Sequence, residues 1–224
     1  MKLIYSVYGI ELELEENQVY VLTVENTRVM TELIQDLWRQ CQGEEGELSL
    51  VRNGEKVSFD KNIEFVYNPV MVSCNNRKII SKLYKQIDEI AREEMYEKTL
   101  KLNSEIVSYL DELSEKVPYP LANLMEMELP GLLKLYRLEV EEEYFSLAEQ
   151  LVSYLRIMHQ ICGIKVFVCM NLKQFFNPSE IQIIYQDIFL EKLILIDIEG
   201  KYSERLICEK NWIIDESLCI IEVG

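Results

Sequence analysis

The 224 residues include only eight glycines, five prolines and one histidine, and each shortage excludes something. So little turn material, set against 49% apolar and 10% aromatic residues, rules out a low-complexity chain and supplies ample core. No stretch reaches the roughly 18 uninterrupted apolar residues of a membrane-spanning helix. The opening, MKLIYSVYGIELELEE, turns acidic where a signal peptide would carry a small-residue cleavage site, which predicts a cytoplasmic protein. The six cysteines, Cys41, Cys74, Cys162, Cys169, Cys208 and Cys219, include no C-x-x-C pair. They offer neither a zinc ribbon nor a redox couple, and buried reduced thiols are expected. His159 sits within a helical pattern beside Met158 and Ile161, so imidazole-based nucleophilic chemistry would hang on one residue, and a structural role is the plainer reading.

Positive charge is also scarce: 23 Lys+Arg stand against 39 Asp+Glu, a formal net charge of −16. Such a chain repels nucleic acid, because duplex affinity comes largely from neutralising phosphates with Lys and Arg. A nucleic-acid reading must therefore rest on a localised basic surface.

What is present is an α/β pattern. LIYSVY, IELELE and VYVLTV read as strands, the last near-continuously apolar as a strand buried on both faces would be. A helix follows, with Thr27 as its expected N-cap and Met30, Leu33, Ile34, Leu37, Trp38 and Cys41 at helical spacing before Gly43. Asn53-Gly54 between alternating runs predicts a hairpin. From Asn76 to Lys116 helical spacing persists without glycine or proline through Ile79, Ile80, Leu83, Ile87, Ile90, Ala91, Ile106, Val107, Leu110 and Leu113. Unbroken, this helix would be about 60 Å long, so it either projects outward or breaks, the expected place being the capping pair Asn103-Ser104. A second amphipathic helix is predicted over 143–161. IKVFVCM, the Asn177-Pro178-Ser179-Glu180 helix start and LILIDIE then form a strand-helix-strand unit with parallel strands. The pattern predicts a discontinuous α/β domain, 1–75 plus 163–224, with a helical domain, 76–162, inserted in it.

The loop after VYVLTV, Glu25-Asn26-Thr27-Arg28, stands where a nucleotide-binding α/β protein would carry G-x-x-x-x-G-K-[ST], and none of those residues is there. Without glycines the amides cannot approach phosphates, and nothing engages a terminal phosphate or magnesium, which argues against ATP hydrolysis. Asn171 ends a strand, where α/β folds place ligand contacts, although a turn-forming role is the plainer reading. Acidic groups Asp111, Glu112, Glu115, Glu126, Glu128, Glu139, Glu141, Glu142 and Glu143 flank the helical segment. They could converge on calcium, with Glu112, Glu115, Glu126 and Glu128 the candidate ligands, yet no EF-hand spacing is present and solvated faces are the alternative.

The sharpest charge asymmetry lies between Arg77 and Ile87, where Arg77, Lys78, Lys82 and Lys85 occur without one acid. At 100° per residue Lys78, Lys82 and Lys85 fall within about 60° of one another, away from the apolar side chains. Pairing with acids such as Glu89 would make this an ordinary solvated face. Copies facing one another in a closed ring would instead add their phosphate contacts.

IKVFVCMNLKQFFNPSEIQIIYQDIFLEKLILIDIE, followed by WIIDESLCII, and VYVLTVENTRVMTELIQDLW resemble the small CRISPR-associated adaptation proteins of type II-A systems, over most of the chain. The resemblance implies a P-loop-ATPase-like head that has lost its nucleotide site, an inserted α-helical leg, and a calcium-assisted homotetramer with a basic central hole. It also implies a non-catalytic protein that encircles double-stranded DNA ends and supports spacer acquisition in antiviral defence, with the CRISPR integrase proteins and the type II-A effector nuclease as partners. Lys78, Lys82 and Lys85 would start the first leg helix. The family's dense acidic run on the leg is broken here by Pro118 and Pro120. A helical-arm interaction scaffold with little DNA affinity of its own is the alternative, and a nucleotide-dependent enzyme on the same fold a third.

Overall fold

The computed structural model describes residues 1–223. They form two compact units: Met1–Cys74 together with the chain from Glu142 onward, and Asn75–Glu141.

The first unit opens with β1 (Lys2–Tyr5), β2 (Ile10–Glu13), β3 (Gln18–Val24), α1 (Thr27–Cys41), β4 (Leu48–Arg52), β5 (Glu55–Val57), the short α2 (Phe59–Asn62) and β6 (Ile63–Val66). The second unit holds α3 (Arg77–Glu93), α4 (Tyr96–Ser114) and α5 (Leu129–Leu135). The chain then returns with α6 (Leu147–Cys162), β7 (Val166–Met170), α7 (Leu172–Phe175), α8 (Pro178–Leu190), β8 (Ile194–Glu199), β9 (Glu209–Ile214) and β10 (Ile220–Val223).

Two sheets organise the first unit. One is antiparallel, in the order β2-β1-β4-β5; the other runs β10-β9-β3-β8-β7-β6 and is parallel except for its β10 edge. Parallel strands are covered on both faces, which is why VYVLTV and LILIDIE read as almost unbroken apolar runs. On one face Tyr20, Leu22, Ile196 and Val168 meet Val29, Leu33 and Leu37 of α1 and the inner side chains of the antiparallel sheet. The opposite face, with Phe167 and Leu195, lies under α6 and α8, whose Leu151, Leu155, Met158, Ile184 and Ile188 are buried. Local signals set the joints. Asn53 (φ 52°) and Gly54 (φ 85°) turn β4 into β5 as the mirror-image turn of a two-residue hairpin requires. Asn177 accepts from the amides of Ser179 and Glu180 while Glu180 reaches back to the Asn177 amide, completing the expected capping box. Among the described residues, no helix is long and apolar enough to cross a membrane.

Three expectations change. The N-cap of α1 is Asn26, whose carboxamide accepts two helix amides, and Thr27 is the first helical residue. The long helical stretch breaks at Glu94–Met95, and α4 runs straight through Asn103-Ser104. Those two side chains are engaged elsewhere: Asn103 bridges Met125 O and Met127 N, and Ser104 bonds back to Leu100 O. The helical domain expected at 76–162 ends at Glu141, because α6 spends its apolar face in the core of the first unit and belongs there. The second unit's ends are tied by Asn75, which donates to Val140 O and accepts from Val140 N, at 2.9 and 2.8 Å.

Candidate nucleic-acid interface

Helix α3 starts at Asn76, whose side chain accepts from Ile79 N at 3.0 Å. Its apolar face comprises buried Ile79 and Ala91 with half-buried Ile80, Leu83 and Ile87. Arg77, Lys78, Lys82 and Lys85 are all exposed, so the three lysines project from the face opposite that apolar stripe. Arg77 stands apart from them by about a quarter turn. Cations in a first helical turn oppose the macrodipole, and the first turn of α3 holds no acid to relieve them.

Neighbouring acids neutralise the stripe only in part. Lys85 approaches Glu89 at 3.8 Å with both side chains largely exposed, a surface pair of little strength. Among the described residues Lys82 and Arg77 make no ion pair. Arg92, two turns beyond Lys85, continues the same face and pairs with Asp88 at 2.8 Å. Sequence reasoning missed it because the acid-free window closes at Ile87; the seven-residue spacing was the available signal.

The four candidate calcium ligands do not converge. Glu112 lies in the last turn of α4, Glu115 just past it, Glu126 in the following segment and Glu128 at the start of α5, all exposed. No group of three or more His, Cys, Asp or Glu side chains able to hold a metal ion occurs among the described residues. Asn103 fixes the backbone at 125–127, and Asn123 donates to Asp111 at 3.3 Å, so the segment after α4 is organised by amide groups. Within one chain these carboxylates do not fit a calcium site.

The loop from β3 to α1 occupies the strand-loop-helix position of a phosphate-binding loop, and its amides are taken. Asn26 Oδ1 accepts from Arg28 N and Val29 N, both at 3.1 Å, while its Nδ2 donates to Glu216 O and Glu25 N bonds to Ile214 O. The carboxamide thus occupies the donors that an anion would need. Asn171 is a turn residue: it adopts the left-handed conformation (φ 53°), and its Oδ1 accepts from Gly200 N at 3.1 Å. The His159 ring bonds the Ile164 carbonyl at 2.8 Å near the end of α6, a structural role.

The model of the CRISPR-associated protein family Cas_Csn2 matches residues 40–218. No curated protein matches the chain. Similar solved structures include a protein from Pyrococcus furiosus assigned as an ABC transporter ATP-binding protein, with 13% identity, TM-score 0.39, and coverage of 91% of this chain and 88% of that one. Another is the ADP conformation of MJ1267, an ATP-binding cassette of an ABC transporter, with 14% identity, TM-score 0.43, and coverage of 87% and 75%.

Proposed function

The chain belongs to the CRISPR-associated Cas_Csn2 family, and on that premise we propose that it is a non-catalytic protein that binds double-stranded DNA ends as a ring and so supports spacer acquisition. The lysine face of α3 carries this reading. One stripe neutralises too few phosphates to hold a duplex, but copies arranged around an axis multiply the contacts, and the remaining acidic surface disfavours side-on binding. A homotetramer is the assembly we assign, with the integrase proteins and the type II-A effector nuclease as its partners in adaptation. Any calcium dependence would come from sites completed between copies, since no metal-holding cluster forms among the described residues of one chain.

Electrophoretic retardation tests threading. Linear duplex should shift, covalently closed circles should not, and the shift should weaken steeply with salt. Lys82→Ala and Lys85→Ala should each reduce the salt slope by about one for every phosphate the missing ammonium had neutralised. Equal retardation of linear and circular DNA overturns the ring reading. Sizing in solution with and without calcium reports the assembly directly, because a monomer encircles nothing.

A second reading, an interaction scaffold with little DNA affinity, draws on one observation: Leu100, Tyr109, Leu113, Leu121 and Leu124 of the helical unit are exposed. A correctly assembled oligomer that retards no DNA would favour it.

A further inference from the structure

Under α7 and α8 three carboxylates are buried: Asp197 and Glu199 toward the carboxyl end of β8, and Glu209 at the amino-terminal start of β9, at 0%, 2% and 1% exposure. One largely covered cation, its side chain 10% exposed, accompanies them. The Lys173 ammonium of α7 lies 2.9 Å from Glu209 Oε1 and also donates to Glu209 Oε2 and Glu204 O. Glu209 is further satisfied by the Tyr185 hydroxyl at 2.8 Å and Leu206 N at 3.0 Å. Its charge partner is Lys173.

Asp197 and Glu199 are not so provided. Alternate residues of one strand, they point to the same face, and each accepts from one of two consecutive amides of α7. Asp197 Oδ1 accepts from Leu172 N at 3.2 Å and Glu199 Oε1 from Lys173 N at 2.8 Å. Asp197 Oδ2, wholly buried, meets no donor elsewhere in the described protein. Two buried carboxyls held on neighbouring amides repel each other when both are ionised, and three ionised carboxylates against one ammonium would leave two uncompensated charges in the interior.

We infer that Asp197 and Glu199 share one proton, and that this proton leaves Lys173 committed to Glu209, holding the 200–208 loop against α7 through the Glu204 carbonyl and the Glu209 carboxylate. Burial raises both carboxyls above their ordinary range, the mutual repulsion adding to it for Asp197. The other titratable groups around them do not supply the charge balance. Cys169, in register with Asp197 on β7, and Tyr185 on α8 are both pushed up by burial and stay neutral, and Glu64 on β6 faces Cys169 and bonds Tyr154 of α6. Once the shared proton leaves, Lys173 faces a second anion, and the grip on Glu209 and the Glu204 carbonyl weakens.

The sign follows from linkage. The folded chain holds a proton that the unfolded chain releases above the ordinary carboxylate range, so stability is present at low pH and lost as pH rises through the raised value of the pair. Asp197→Asn replaces the shared proton with a permanent amide donor and removes the dependence. Urea unfolding of both proteins from about pH 6 to about pH 9 should show the wild-type unfolding constant rising relative to that of D197N by up to about tenfold per pH unit. Should D197N fail to fold, Glu199→Gln, whose amide can donate in the opposite direction, makes the same comparison. In NMR the Leu206 amide should move with pH in wild type and stay fixed in either variant. A ratio of unfolding constants independent of pH, or a Leu206 amide that titrates identically in the variants, overturns the inference.

Discussion

The sheet-based unit and the helical unit treat their apolar side chains in opposite ways. In the first, whole strands vanish from solvent: every residue of β8 is buried, as are the inward faces of α6 and α8. In the second, Ile79 and Ala91 are the buried residues among those described, while Leu100, Tyr109, Leu124, Leu135 and Tyr136 stand exposed. Charge follows the same division. The first unit encloses several carboxylates, among them Asp36, which accepts from Glu47 N, Leu48 N and Gln40 Nε2. The second leaves its lysines and glutamates in water. One unit is a scaffold whose stability is internal; the other leaves most of its apolar and charged groups at its surface.

The largest expected effect tests the scaffold side. Phe167 on β7 is fully buried between strands and helices. Phe167→Ala should lower the unfolding free energy by about 3–5 kcal/mol, through lost transfer energy and the cavity left behind, read as a shift of the urea midpoint. A loss no larger than that of a surface change would mean the sheet does not carry the stability. A middle-sized effect sharpens the picture locally. Asn177→Ala removes the acceptor for two α8 amides and should cost about 1 kcal/mol in the same assay.

These two sites also mark what could be read from the residues alone. The capping box at Asn177, the Asn53-Gly54 hairpin and the strands flanking α8 announce themselves within a few residues, because cap chemistry, positive φ and apolar runs are local. The α3 lysine stripe is local in the same sense, a matter of 3.6-residue periodicity. The helix break at Glu94–Met95 is not, since no glycine or proline marks it and the better capping pair, Asn103-Ser104, is drawn into contacts with residues far along the chain or with its own helix. Nor is the membership of α6 local: an amphipathic helix reveals that it has an apolar face but not which core receives it. Asp197, Glu199 and Glu209 look in sequence like the polar positions of half-exposed strands, and only the crossing of α7 over the sheet turns them into a buried set. The four glutamates considered for calcium fail for the converse reason, as closeness along the chain and shared charge do not bring exposed side chains to one point.

The smallest expected effect on stability tests the other side of the comparison. Leu124 lies in the segment between α4 and α5 with 80% of its surface in solvent, so Leu124→Ser removes almost no buried area. The unfolding free energy should change by no more than about 0.5 kcal/mol, a tenth or so of the Phe167→Ala effect. Assembly should respond where stability does not. If the exposed apolar groups of this unit meet another copy, replacing one with a hydroxyl weakens that interface, and the oligomer should dissociate at a higher protein concentration in a sizing dilution series. A variant that loses stability as Phe167→Ala does, with its assembly unchanged, would show that Leu124 is held by its own chain and that the helical unit has an internal core after all.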